Sequence, residues 1–141
     1  MSGLAGLLAG HSPPGVYRWH GAYDVADVRH TVEHAGQRFA HVDGLTAQTK
    51  AEFLAAVGEA LDFPDYYGQN LDALEECLRA VGREAPTVLL WDGWSTLVRS
   101  DPQAFATVVD VLGSRADAGS FSVLLRGDGP DEELVGVASL D

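Results

Sequence analysis

The chain has 141 residues, a length that fits one domain with a hydrophobic core of its own. Its hydrophobic content of 46% favours a folded protein over a disordered one. Nine basic residues against 21 acidic ones give a net charge of −12, which repels nucleic acid and anionic membranes and attracts cationic partners. We therefore expect neither nucleic acid nor a membrane as partner, although an acidic surface is also typical of proteins that need only solubility.

Cysteine content and the N-terminal residues bear on the compartment. Cys77 is the only cysteine, so an intrachain disulfide is impossible, as is typical of a reducing cytoplasm. Residues 1–15 lack the basic segment and the A-x-A cleavage site of a secretory signal. The sequence has no apolar stretch near the ~18 residues of a spanning helix. We interpret the chain as a cytoplasmic protein.

Strands and helices are predicted to alternate from the start of the chain. Residues 1–15 are rich in Gly, Ser and Pro and are predicted to be a flexible tail. The first half then contains a β-prone run (Val16–Trp19), a helix from Asp24 to about His34, and an alternating strand (Arg38–Val42).

Capping signals mark the helices of the second half. Thr49 followed by Glu52 is a capping box that begins a helix ending near Leu61. Asn70 is a good N-cap for the next helix, which ends near Val81. The remaining predicted elements are a buried strand (Thr87–Trp91), a short helix from Trp94, a helix from Asp101-Pro102 to about Ala118, and a last strand (Phe121–Leu125).

This alternation predicts an α/β fold with a small, largely parallel sheet. The predicted organisation is a flexible tail over residues 1–15, a single domain over residues 16–126 and an acidic tail over residues 127–141. If Val16–Trp19 is a strand followed by a helix, residues 16–35 form an extra β-α unit that makes a βαβ unit with Arg38–Val42 and adds one strand to the sheet.

Acidic residues gather around the stretch FPDYYGQNLDALEECL, residues 63–78. From Glu59 to Glu76 there are six acidic residues and no Lys or Arg. On a helical wheel Asp72, Glu75 and Glu76 share one side with Arg79, while the opposite side is apolar. A solvated helix face is the plain explanation, but the tyrosines and glycine beside it favour a binding surface for a cationic, phosphate-binding protein.

The same stretch resembles the signature of the barstar family of intracellular ribonuclease inhibitors. The resemblance extends more loosely from Gln37 to Leu125, within a core of residues 36–126, and implies a barstar-like fold with a three-stranded parallel sheet flanked by helices. The residues that match in register are Tyr66, Tyr67, Gly68, Asn70, Leu71, Asp72, Ala73, Leu74 and Cys77.

The resemblance also implies a function and a site. The chain would bind one cationic, extracellular-type ribonuclease, 1:1, and block its active site, with no catalytic residues, cofactor or metal of its own. A loop tyrosine would pack near the nuclease's active-site histidine, and the acids would meet its arginines and lysines. The implied partner-binding residues are Tyr66, Tyr67, Gly68, Asn70, Leu71, Asp72, Glu75 and Glu76.

Three positions depart from the family pattern. Glu76 stands where the family has its central aspartate, and Glu75 stands where the family has a tryptophan. Ser114 replaces a glutamate that members can carry on the last long helix. The departures leave the general binding mode and change the side chains that a particular nuclease would meet.

Other functions stay open at this point. The chain is alternatively an antitoxin for a different basic toxin, or a small hydrolase that uses Asp72 and Glu76 as an acid/base pair. His30 and His34 have the spacing of two helical metal ligands but lack a clear third ligand, so we expect no metal. Cys77 falls on the apolar side of its helix and is predicted to be a buried structural thiol.

Overall fold

The computed structural model describes residues 2–64, 67–130, 134 and 137–140. These residues form six α-helices and five β-strands that alternate for most of the chain. In chain order the elements are α1 (Ser2–Leu8), β1 (Val16–Arg18), α2 (Val25–His34), β2 (Arg38–Asp43), α3 (Lys50–Ala60), α4 (Leu71–Leu78), β3 (Thr87–Asp92), α5 (Ser95–Ser100), α6 (Pro102–Asp117), β4 (Phe121–Arg126) and β5 (Ala138–Ser139).

One parallel sheet organises the domain. Its strand order is β2-β3-β4-β1-β5, and each neighbouring pair is parallel. The predicted α/β class with a parallel sheet is confirmed, but the sheet has five strands where three, or four with an N-terminal addition, were predicted. Because the strands are parallel and in register, β2, β3 and β4 end side by side, with Asp43 opposite Asp92 and Asp92 opposite Arg126.

Three helix starts follow the local capping signals, whereas Asp24, at the predicted start of α2, makes no side-chain capping bond. Thr49 and Glu52 form the predicted capping box. Asn70 accepts a hydrogen bond from the Ala73 N–H at 2.8 Å, and Asp101 accepts one from the Ala104 N–H at 3.0 Å. These bonds satisfy backbone donors that the first turn of a helix leaves free, so the starts of α3, α4 and α6 are confirmed.

Helices cover both faces of the sheet, because strand side chains point alternately to the two sides. On one face α3, α4, α5 and α6 pack on a core that includes Val42, Trp91 and Val123. On the other face α1 and α2 pack on Phe39 and Leu90 among others. Within the described residues no helix is long and apolar enough to cross a membrane.

The prediction of a flexible N-terminal tail is wrong for the described part of residues 1–15. Helix α1 lies against the sheet, with Leu4 fully buried and Leu7 nearly so. The strand β1 does join the sheet, but it pairs with β4 and β5 and is separated from β2 by two strands. Gly and Pro content suggested a loose segment; burial of its leucines against a distant strand outweighs that local preference.

The predicted acidic tail is also wrong where the structure describes it. Leu134 is buried in the main core, which also contains residues of α5 and α6. Ala138–Ser139 forms β5 and pairs in parallel with Tyr17 and Arg18 of β1. A strand of two residues has no periodicity to read, so only its pairing partner identifies it.

Candidate functional site

Helix α4 has the two-sided character that the wheel predicted. Leu74 and Leu78 are buried, whereas Asp72, Glu75 and Glu76 are exposed. We refer to these three carboxylates as the acidic surface. Within the part of the chain that the structure describes, none of the three takes part in a hydrogen bond or an ion pair. Their charges are therefore directed to solvent.

The turn before α4 is shaped by its backbone and its cap. Gln69 has a left-handed backbone with φ of 51°, a conformation that costs any residue other than glycine some strain. Gly68 is exposed and does not have that conformation. A Cβ atom on Gly68 would lie 3.2 Å from Nδ2 of Asn70, so this glycine leaves room for the capping side chain.

Tyr67 points into the domain instead of outwards. Its hydroxyl donates a hydrogen bond to the Leu54 carbonyl at 3.1 Å, and its ring packs edge to face with that of Phe63, with 4.9 Å between centroids. Burial, and secondly the charge of Cys77, raise the pKa of Tyr67 to about 12. Tyr67 thus fixes the loop from the inside, a role that the sequence did not reveal. Its neighbour Tyr66 lies outside the described residues.

The remaining predicted contacts divide between surface and core. Gly68 and Asn70 are exposed just before the first residue of α4, the helix that carries the three acids. Leu71 is half-buried and packs on the main core. Its contribution to any contact is limited to the part of the side chain that solvent reaches.

Cys77 is half-buried, so the prediction of a buried thiol is wrong. It lines a cavity of about 400 Å³ together with Leu61, Phe63 and Val81. Burial, and secondly the charge of Glu76, raise the pKa of the Cys77 thiol. Since the thiolate is the reactive form, this cysteine is poorly suited to nucleophilic chemistry.

A second charged cluster, which sequence reasoning missed, lies at the carboxyl ends of the strands. Asp92 accepts hydrogen bonds from Arg126 at 2.6 and 3.0 Å and lies 2.8 Å from Nε2 of His41. Arg126 also donates to the carbonyls of Gly21 and Tyr23. We call Asp92, His41 and Arg126 the edge cluster.

The edge cluster neutralises its own carboxylate. Burial opposes ionisation of Asp92, but the hydrogen bonds from His41 and Arg126 outweigh it and hold the pKa of Asp92 below its usual value. Beside the cluster lies a cleft of about 540 Å³. The sequence did contain a signal for this cluster: three strands end on a charged residue followed by glycine, at Asp43-Gly44, Asp92-Gly93 and Arg126-Gly127.

Neither the metal nor the hydrolase interpretation gains support from the geometry. His30 and His34 stack with 6.0 Å between ring centroids on the exposed side of α2. In the residues that the structure describes, no group of three or more His, Cys, Asp or Glu is placed to hold a metal ion. Asp72 and Glu76 are both exposed, whereas an acid/base pair requires a site that encloses its substrate.

Solved structures similar to this chain share its fold. Cdc6p from Pyrobaculum aerophilum matches with a TM-score of 0.63 and 16% identity over 95% of this chain and 39% of that one. Drosophila ORC bound to DNA matches with a TM-score of 0.62 and 19% identity over 91% of this chain and 36% of that one. The Aeropyrum pernix ORC2 protein matches with a TM-score of 0.62 and 16% identity over 94% of this chain and 40% of that one. The chain thus spans about two fifths of these chains, and the likeness shows the arrangement of the sheet and its helices.

Sequence comparison identifies the family. The comparison with curated proteins returns no match. The family model described as Barstar (barnase inhibitor) matches residues 37–126, more than half of the chain, from β2 to the end of β4. The match includes the capped loop, helix α4 and the acidic surface. The chain belongs to the barstar family.

Proposed function

We propose that this protein inhibits a small cationic ribonuclease by binding over its active site, 1:1, through the acidic surface and the loop before α4. The carboxylates of Asp72 and Glu76 would take the place of RNA phosphates among the arginines and lysines of the nuclease. Tyr66 would supply the aromatic contact that the family resemblance implies. The inhibitor performs no chemistry, and its action belongs in the cytoplasm, where a cell must protect its own RNA.

The observation that carries this proposal is the exposure of three like-charged side chains on one rigid helix. Asp72 and Glu76 stand four residues apart and repel one another at a cost of a few tenths of a kcal/mol. Within the described residues no cation of the domain offsets the charge by an ion pair. A cationic partner would relieve the repulsion, so the surface is better suited to a complex than to the free protein.

The test is calorimetry against a panel of basic microbial ribonucleases. We expect 1:1 binding by at least one member. Glu76→Gln and Asp72→Asn should each weaken it by about 2 kcal/mol or more, as at other interface hot spots. Raising the salt concentration should slow association and weaken binding, because opposite charges attract one another less when ions screen them.

Asp27→Asn is a matched control for Asp72→Asn. Both aspartates are exposed in the first turn of a helix, and both substitutions change the net charge by the same amount. Asp27 belongs to α2, on the opposite face of the sheet from α4. If Asp27→Asn weakens binding as much as Asp72→Asn, total charge and not the acidic surface is responsible.

The other outcomes separate the alternatives. A folded protein that binds no ribonuclease of the panel would contradict the proposal and favour an antitoxin for a different basic toxin. Turnover of a substrate by the purified protein, abolished by Asp72→Asn, would contradict both and establish a hydrolase.

A further inference from the structure

The ring of Tyr67, in the loop that leads into α4, packs on helix α3. We infer that Gly58 and Tyr67 are positioning residues for the acidic surface: the absence of a side chain at Gly58 lets the Tyr67 ring seat on α3, and this seat holds the loop in the form that a partner meets. The inference rests on the proposed function, which it deepens by naming what prepares the surface.

The seat depends on the missing side chain of Gly58. This glycine is buried in α3. A Cβ atom placed on it would lie 2.7 Å from Cε2 and 2.8 Å from Cδ2 of Tyr67, closer than carbon atoms can approach. Gly58 does not have a left-handed backbone, and glycine is unfavourable within a helix. Close approach of the ring is therefore the physical reason for a glycine at this position.

Two further contacts hold the ring in the seat. The Tyr67 hydroxyl donates to the Leu54 carbonyl, and Leu54 precedes Gly58 by four residues, on the same side of α3. The rings of Phe63 and Tyr67 meet edge to face, and the Phe63 N–H donates to the Gly58 carbonyl at 2.8 Å. One turn of α3 therefore supplies the surface at Gly58 on which the Tyr67 ring packs, the Leu54 carbonyl that accepts from its hydroxyl, and the Gly58 carbonyl that accepts from the Phe63 N–H.

The seat is close in sequence to the acidic surface. Tyr67 precedes Asn70, the cap of α4, by three residues, and its N–H donates to the Pro64 carbonyl at 2.9 Å. A displaced ring would shift the chain that enters the cap. A loop already held in its bound form loses less conformational entropy on binding, so loosening it should act mainly on the dissociation rate.

Gly58→Ala tests the seat without changing any charge. The control is Gly113→Ala in α6, because a Cβ atom there meets nothing within 4 Å. Both substitutions favour the helical state of their segment. With a ribonuclease that the wild type binds, we expect Gly58→Ala to raise the dissociation rate about tenfold or more and to leave the salt dependence of association unchanged. Gly113→Ala should change neither rate.

A double-mutant cycle distinguishes positioning from a general loss of structure. In the Tyr67→Ala background the ring is gone, so Gly58→Ala should have no further effect on the dissociation rate. Tyr67→Phe keeps the ring and loses only the hydrogen bond to Leu54, and it should bind more tightly than Tyr67→Ala. Equal effects of Gly58→Ala in both backgrounds would overturn the inference.

Hydrogen exchange of the free protein tests the seat without a partner. We expect the Tyr67 amide to exchange faster in Gly58→Ala than in Gly113→Ala, because the former displaces the ring and weakens the bond from the Tyr67 N–H to the Pro64 carbonyl. An unchanged exchange rate of the Tyr67 amide in Gly58→Ala would contradict the seating of the Tyr67 ring on Gly58. Faster exchange with an unchanged dissociation rate would overturn the positioning role. If the wild type binds no ribonuclease, the proposed function and the positioning role fail together, while exchange still decides whether the seat exists.

Discussion

Acidic side chains have opposite surroundings in two regions of this molecule. In the edge cluster, the Asp92 side chain is 22% exposed and accepts hydrogen bonds from Arg126 and His41. On the acidic surface, Asp72, Glu75 and Glu76 are exposed, with no ion pair among the described residues. A large negative net charge therefore divides into carboxylates that hold the domain together and carboxylates that the fold does not use. The second group is the one available to a partner.

Removal of the edge carboxylate should have the largest effect on stability. Asp92→Ala leaves the guanidinium of Arg126, which is 16% exposed, without its charged partner. Leaving the hydrogen bonds of a half-buried charged group unmade costs about 2 kcal/mol, and urea unfolding would measure the loss. Asp128→Ala is the control, because Asp128 lines the same cleft but is exposed; it should change stability by less than about 0.5 kcal/mol. Equal losses of unfolding free energy in Asp92→Ala and Asp128→Ala would contradict the distinction between carboxylates that hold the domain together and carboxylates that the fold does not use.

Acid should reproduce part of that loss. The pKa of Asp92 is lower in the folded protein than its usual value, which is about 3.9 in an unfolded chain. Its contribution to stability is therefore complete above the unfolded pKa and is lost as the pH falls through the folded one. The difference in unfolding free energy between wild type and Asp92→Asn should shrink below about pH 4. A difference independent of pH would contradict this assignment.

Asn70→Ala should destabilise the protein less, and locally. It removes the acceptor of the Ala73 N–H at the start of α4, and loss of such a cap costs about 1 kcal/mol. Thermal unfolding would measure the loss. Asn70→Asp keeps an acceptor and should be close to wild type; if it is as destabilised as Asn70→Ala, capping is not the role of this side chain.

Neutralising the acidic surface should have the smallest effect on the fold. Glu76→Gln removes the repulsion with Asp72 and should raise the unfolding free energy by about 0.3 kcal/mol, although we expect it to weaken ribonuclease binding. The same urea measurements apply. A loss of more than about 1 kcal/mol would mean that Glu76 serves the fold, and the contrast with Asp92 would disappear.

Local signals in the sequence predicted the helices well. Thr49, Asn70 and Asp101 each cap a helix through bonds that span three residues, so a short stretch of sequence contains both donor and acceptor. The wheel of α4 separated its acids from Leu74 and Leu78 for the same reason. The family motif was in this local part of the chain as well, and its identification is confirmed.

Long-range contacts explain what the sequence did not predict. The Asp92–Arg126 pair joins residues 34 positions apart, and only the register of β3 and β4 places them side by side. The leucines of α1 share a core with Leu90 and Leu124 of distant strands, and β5 pairs with β1 at the other end of the chain. The Tyr67 ring points inward because Gly58, nine residues earlier, leaves room for it. Nothing in the sequence itself distinguishes Tyr67 from its neighbour Tyr66.

The sequence by itself determined the α/β alternation, the starts of α3, α4 and α6, the apolar and acidic sides of α4 and the membership of the barstar family. Tertiary structure decided the number and order of the strands, the burial of α1 and which carboxylates are neutralised. The reason is physical. Periodicity and capping are properties of consecutive residues, whereas strand pairing, burial and ion pairs depend on distances that exist only after the chain has folded.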